Sequence, residues 1–310
     1  MLSAVDLALT RWDAHWAWVA REVPPLVFDP YRLEGTLRST PPGPANVALL
    51  GNSITEMAFD RGALELRFAE RGLRFPKLTL GGAPALSFGM LADDIAALEP
   101  TVAVLLVTAP SLRSRGYEDH VYTYDLAAAA ELLTPGEWLA DPRFHIDGAA
   151  GQLHVLARHR RAMQRTALVR LGRLEWADLE REAHWLRIRH MRDGQDQWQT
   201  WVSDPVPDVY PNPNTRALGR LARRLRERGG RLVVMEAPSH PIQALLVPRP
   251  RVEAARAELA RLAAADGFTL LDRTELPALA ADEFGDWVHA NARGRERLTA
   301  FLADYLAKTL

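Results

Sequence analysis

The chain has 310 residues, 48% of them hydrophobic and 25% charged, with a net charge of −1. That balance is ordinary for a globular chain long enough to bury one large core, and it gives no electrostatic reason to expect a nucleic-acid partner. Cysteine is absent, which excludes disulfides, a cysteine nucleophile and thiolate metal ligation without identifying a compartment.

Residues 1–22 read as an amphipathic helix, with Leu7, Trp12, Trp16 and Val19 near one face and Arg11, Asp13 and Arg21 elsewhere. Trp12, Trp16 and Trp18 are expected to dock on the domain, because the segment lacks the lysine-rich polar face of an interfacial helix. Met1–Leu7 has an early acid, no basic n-region and no long apolar run, so it does not read as a signal peptide. No stretch of the chain approaches the roughly 20 apolar residues of a membrane span. Pro24-Pro25 ends the helix, and Pro41-Pro42-Gly43-Pro44 marks a loop.

Val47–Leu50 is a run of four apolar residues that predicts a short buried strand, broken by Gly51 and followed by a helical pattern to about Arg71. Lys77–Leu80 predicts a second strand ending in Gly81-Gly82-Ala83-Pro84, then a helix over 87–98 and a third strand over Thr101–Val107. Strands alternating with helices at short spacing predict a parallel sheet with helical crossovers. From about 116 to 213 helical patterns dominate (124–133, 152–171, 174–189), an expected insertion of about 100 residues. The core pattern then resumes with helix 214–228, strand Arg231–Met235, helix 251–265, strand 268–271 and a last helix over 292–307. The expected domains are an N-terminal helix and linker (1–45), a core formed by 46–115 and 214–310, and an inserted helical subdomain (116–213).

Ser53 follows the first strand on a strand-to-helix turn, at the carboxyl edge of the sheet. Serine in such a place is often a simple helix cap, but a nucleophile there needs a base and an orienting carboxylate. His289 and Asp286, three residues apart, can supply both from one turn: an unperturbed imidazole titrates near pH 6.5 and can accept and return a proton at neutral pH. The bland alternative is that Asp286 caps the last helix and His289 is a surface residue.

Gly51-Asn52-Ser53-Ile54-Thr55 resembles the first block of the SGNH (GDSL-type) hydrolase superfamily, and Asp286-Trp287-Val288-His289-Ala290-Asn291-Ala292-Arg293-Gly294 resembles its last. The blocks fall in the family's order, and the resemblance covers about Asn46 to Leu310 apart from the middle insertion. It implies a flavodoxin-like three-layer α/β/α sandwich with a mainly parallel sheet and a helical insertion. The implied activity is that of a serine esterase or O-acyltransferase acting on an O-acyl (acetyl) ester, with Ser53 as nucleophile, His289 as base and Asp286 as its orienter. Alignment with the second block implies Gly81 as an oxyanion N–H donor, with Gly82 one step away. Such donors are worth roughly 3 kcal/mol of barrier each.

The third block departs from the family. Pro110 in Thr108-Ala109-Pro110-Ser111 stands where an asparagine donor usually lies, leaving Ser111, Arg113 or Thr108 as nearby substitutes. His240, in a proline turn after a core strand, is a candidate substrate contact. His154/His159 and His184/His190 lack ligand spacing, so no metal site is expected, and no cofactor is implied. The arginines of 158–173 read as a solvated helix face, and Trp176, Trp185, Trp198 and Trp201 as core.

The missing asparagine and the insertion resemble a subgroup that works on cell-envelope polymers, similar to the proteins of alginate acetylation and lipoteichoic-acid D-alanylation. That likeness implies an acylated small-molecule or glycan substrate, a membrane-associated acyl-transfer partner and an extracytoplasmic site. The competing expectation is a non-catalytic SGNH-fold binding module with a decayed oxyanion hole.

Overall fold

The computed structural model describes residues 11–24, 29–114, 125–140, 155–181, 208–242 and 247–310. In chain order its elements begin with helices α1 (Asp13–Glu22) and α2 (Asp29–Ser39), then strand β1 (Val47–Gly51), helices α3 (Ser53–Ala58) and α4 (Arg61–Arg67), and strand β2 (Lys77–Thr79). Helices α5 (Ala85–Met90) and α6 (Ala92–Ala97), strand β3 (Val102–Val107) and a 3-10 turn (Ala109–Leu112) follow. Helices α7 (Leu126–Leu132), α8 (Pro135–Ala140) and α9 (Val155–Arg170) come from the segment that reads as an insertion. The core returns with α10 (Pro213–Glu227), β4 (Arg231–Glu236), α11 (Arg249–Asp266), β5 (Thr269–Leu271) and α12 (Ala292–Thr309).

The five strands are all parallel, in the order β2-β1-β3-β4-β5. This is the flavodoxin-like doubly wound order, whose direction of winding reverses between β1 and β3 and opens a crevice at their carboxyl ends. Because neighbouring side chains on a strand point to opposite faces, the apolar runs feed two cores. Ala48, Leu50, Leu78, Leu105 and Val234 pack with residues of α5, α6, α10 and α11, whereas Val47, Leu49, Val104, Val233 and Met235 pack with α3, α4 and α12. Burial on both faces explains why the strands read as continuous apolar runs rather than alternating ones.

Three local differences from the sequence reading have identifiable causes. The helical stretch after Ser53 breaks at Phe59, an extended residue with a buried ring, and Asp60 restarts it by accepting a hydrogen bond from the Ala63 N–H at 3.0 Å. The stretch over 87–98 is divided at Leu91, which leaves helical geometry between α5 and α6. Helix α2 lies in the segment that reads as linker. Its Pro30 falls in the first turn, where a missing N–H costs nothing. Gly35 is needed at a close crossing with α1: a Cβ there would stand 2.9 Å from Val19 Cγ1 and 3.0 Å from the Trp16 carbonyl oxygen.

Two of the three N-terminal tryptophans are docked, whereas Trp12 is 51% exposed and stacks only on His15 of its own helix. Trp16 is fully buried against Tyr31 and His159, and Trp18 packs near Trp176 with the Arg170 guanidinium over its ring. From the segment that reads as an insertion, α7 packs on α5 and α10 through Leu86, Met90, Ala129, Leu132 and Ala217. His154, His184, His190, Trp185, Trp198 and Trp201 lie outside the described residues, as does the second half, 182–189, of the helix expected over 174–189. No helix among the described residues is long and apolar enough to cross a membrane.

Candidate active site

β1 ends at Gly51, whose φ of +144° lies in the region that favours glycine. The chain then turns sharply into α3. Asn52 caps that helix, its side-chain oxygen accepting from the Ile54 N–H at 3.0 Å, and Ser53 is the first helical residue. The Thr55 hydroxyl donates back to the Leu50 carbonyl at 3.1 Å, closing the turn that carries the serine.

One turn along α3, Glu56 fastens the helix to the sheet. Its carboxylate accepts from the Thr79 hydroxyl at 2.6 Å and from Lys77 Nζ at 3.3 Å, with Arg32 Nη1 3.5 Å away. Burial works to raise the Glu56 pKa, but the charges of Lys77 and Arg32 and the Thr79 bond outweigh it and hold it below its usual value. Burial, partly offset by Glu56, lowers that of Lys77. Glu56→Ala leaves Lys77 buried without its counter-charge, and we expect a stability loss of about 3 kcal/mol or more in urea unfolding.

The other half of the site is the loop before α12. Phe284 and Ala290 form an antiparallel bridge, and the Gly285 N–H donates to the His289 carbonyl at 2.8 Å. Asn291 locks the base of the loop: its side-chain oxygen accepts from the Arg293 and Gly294 N–H groups, and its Nδ2 donates to the Asp282 carbonyl. Gly294 must lack a side chain, since a Cβ there would meet the Glu283 carbonyl oxygen at 2.3 Å. At the tip, Asp286 Oδ1 accepts from the Val288 and His289 N–H groups, each at 2.8 Å, an Asx turn that aims the other oxygen at the imidazole.

The halves meet in one hydrogen-bonded chain. Asp286 Oδ2 lies 2.7 Å from His289 Nδ1, and His289 Nε2 lies 2.8 Å from Ser53 Oγ. With Nδ1 carrying its proton toward the carboxylate, Nε2 is left as acceptor for the serine hydroxyl. Burial works to raise the Asp286 pKa, but the His289 hydrogen bond and the Val288 N–H prevail and hold it at about 2. A folded-state pKa below the unfolded one stabilises above the unfolded value, and that contribution fades as pH falls through the folded value. The melting-temperature advantage of the protein over Asp286→Asn should therefore be full above about pH 5 and shrink toward about pH 2.

The remaining candidate residues fall out differently. The Gly81 N–H is already occupied, donating to Asp29 Oδ2 at 2.6 Å. Leu80–Ala83 is a tight turn closed by the Ala83 N–H on the Leu80 carbonyl, with Gly82 at φ +71°. Among the described residues, neither the Ser53 nor the Gly82 N–H has an acceptor in the protein. Ser111 is committed inside the turn after β3: its hydroxyl donates to the Thr108 carbonyl at 2.7 Å and accepts from the Thr108 N–H at 3.0 Å. A substitute oxyanion donor is thus not found in Ser111, because its one hydroxyl hydrogen is spent.

His240 packs edge-on against Phe284 of the His289 loop, centroids 5.3 Å apart, with Nδ1 accepting from the Ile242 N–H. It borders the loop rather than joining the hydrogen-bonded chain. Two residues that sequence reasoning did not single out also stand at the site. Trp287, between the acid and the base, is 54% exposed, and Asp29 touches the second glycine block from a helix with no sequence signal linking it there. No cluster of metal-ligating side chains occurs among the described residues. A cavity of about 440 Å³ between α4 and α12, lined by Arg67, Arg295 and Thr299 among others, is not lined by Ser53, His289 or Asp286.

No protein-family profile matches the sequence, and no curated protein matches it. Similar solved structures include TesA (12% identity, 86% of this chain and 99% of that one, TM-score 0.42). A lipase/acylhydrolase from Enterococcus faecalis shares 12% identity over 86% of this chain and 96% of that one, TM-score 0.44. Axe2, an acetyl-xylooligosaccharide esterase from Geobacillus, shares 12% over 86% and 94%, TM-score 0.41.

Proposed function

We propose that the chain belongs to the SGNH (GDSL-type) hydrolases and is a serine esterase or O-acyltransferase. The observation that supports this most directly is the Ser53–His289–Asp286 chain of contacts at 2.8 and 2.7 Å, which joins a nucleophile, a base and an orienting carboxylate from opposite ends of the sequence. Ser53 Oγ attacks the carbonyl carbon of an O-acyl ester while His289 Nε2 takes its proton. The imidazolium is held by Asp286, which stays ionised and keeps the ring in the productive tautomer. The Ser53 and Gly82 N–H groups, which have no acceptor among the described residues, receive the developing oxyanion. Collapse expels the alcohol with the proton from His289 and leaves an acyl-Ser53 ester. Water activated by His289 then releases the acid, or a hydroxyl of a second molecule takes the acyl group.

The substrate class we propose is an acylated small molecule or an acetylated glycan such as a cell-envelope polymer, with the exposed Trp287 ring beside the triad as a surface on which a sugar could stack. A membrane-associated acyl-transfer partner belongs to the transferase form of this proposal. A second reading, a binding module with a decayed oxyanion hole, is favoured by Pro110, which removes the side-chain donor of the third block. The test is hydrolysis of p-nitrophenyl acetate and longer esters together with labelling by a fluorophosphonate. Turnover or labelling that depends on Ser53 supports the enzyme, and an unreactive Ser53 supports the binding module.

A further inference from the structure

β2 is the edge strand of the sheet, so every second N–H along it faces away from β1. The Leu80 N–H faces inward, donating to the Gly51 carbonyl at 3.0 Å. Gly81 comes next and faces outward, where Asp29 Oδ2 meets its N–H at 2.6 Å. Asp29 is not on a free arm. It opens α2, whose Leu33 lies in the same buried cluster as Leu50, Leu78 and Leu80 and whose Arg32 approaches Glu56 under the serine helix. The carboxylate is therefore presented from a helix already anchored on β2 and α3.

The consequence lies one residue on. With the Gly81 N–H tied outward and the turn closed from Ala83 to Leu80, Gly82 takes φ +71°, the left-handed third position of a type II turn. The Gly82 N–H then belongs to the central peptide of the turn, and among the described residues it has no acceptor in the protein. Gly51 pairs with Thr79, so Ser53 leaves β1 beside the place where this turn leaves β2. We infer that Asp29 is a positioning residue: by holding the Gly81 N–H it orients the 81–82 peptide so that the Gly82 N–H serves as the second oxyanion donor. Asp29 touches neither substrate nor the reacting atoms, and the inference rests on the serine-esterase reading.

The sign of its effect separates this role from a purely electrostatic one. A carboxylate near a developing oxyanion opposes it, so removing a mere neighbouring charge should speed the reaction. Removing a latch should slow it. The experiment compares Asp29→Ala and Asp29→Asn with the unaltered chain, using kcat and KM for p-nitrophenyl acetate and amide exchange of Gly81 in 15N-glycine-labelled protein. We expect Asp29→Ala to lower kcat about a hundredfold, as for loss of one oxyanion donor, with KM within about twofold, and to lose Gly81 amide protection. Asparagine keeps an acceptor oxygen, so Asp29→Asn should hold the protection and stay within about threefold of the original rate.

Three results would overturn the inference: an Asp29→Ala rate equal to or above the original, an Asp29→Asn rate as low as that of Asp29→Ala, or an unprotected Gly81 amide in the unaltered chain. If the unaltered chain neither turns over the ester nor reacts with a fluorophosphonate, the serine reading has failed instead. The Gly81 exchange then decides the latch by itself.

Discussion

Ser53→Ala is expected to lower ester turnover by at least about a thousandfold while leaving the protein folded, because removing the nucleophile of a triad leaves only binding and oxyanion stabilisation to act. Ser53 is the first residue of α3 and is half-buried, so the lost hydroxyl leaves no large cavity. Thermal unfolding should accordingly shift by only a few degrees. The pair of measurements matters, since a collapse of activity with an intact melting curve isolates chemistry from folding. Turnover that persists at the original rate in Ser53→Ala would remove the serine from the mechanism and the triad with it.

The second large effect is expected at Gly51. A Cβ built there would stand 1.9 Å from Thr55 Oγ1, 2.9 Å from Thr55 Cβ and 3.2 Å from the Leu106 carbonyl oxygen, at a φ of +144° that L side chains rarely adopt. Thr55 cannot swing aside cheaply, because its hydroxyl is bonded to the Leu50 carbonyl and it lies on the helix that begins with Ser53. Backbone strain and overpacking together predict that Gly51→Ala costs about 4 kcal/mol in urea unfolding. The displaced serine should also lower kcat roughly a hundredfold in the molecules that do fold. Gly72→Ala is the control. Gly72 has φ +63°, and a Cβ there would meet nothing within 4 Å, so only the left-handed strain of about 1 kcal/mol should appear. Equal losses at the two positions would mean that the close packing behind Ser53 is not what Gly51 protects.

What could be read early and what could not follows from the range of the forces involved. The apolar runs Val47–Leu50, Val102–Val107 and Leu232–Met235 are local patterns, and their order along the chain with helices between them dictates a parallel sheet. Gly51 before Ser53, and Asp286 three residues before His289, are also local, because a turn that aims a side chain needs particular residues within a few positions. The resemblance of those two segments to known blocks linked residues whose contact at 2.8 Å spans 236 positions. No periodicity or spacing could have supplied that link.

Helix α2 illustrates the opposite case. Gly35 and Thr36 each speak against a helix locally, and the segment becomes one because Tyr31 and Leu33 find buried places and Gly35 admits α1 at close range. Its first residue then takes the Gly81 N–H, so which glycine of Gly81-Gly82 keeps a free donor depends on a helix 52 residues away in sequence. Ser111 likewise spends its hydroxyl on its own turn, and His240 goes to the ring of Phe284. The sequence by itself determined the layers of the fold and pointed to Ser53, His289 and Asp286 as the residues to look for together, since local patterning and short turns carry those signals. Only the tertiary structure decided that the Gly81 N–H is taken while the Gly82 N–H has no acceptor among the described residues, because a hydrogen-bond donor is free or taken according to what the rest of the chain brings within about 3 Å of it.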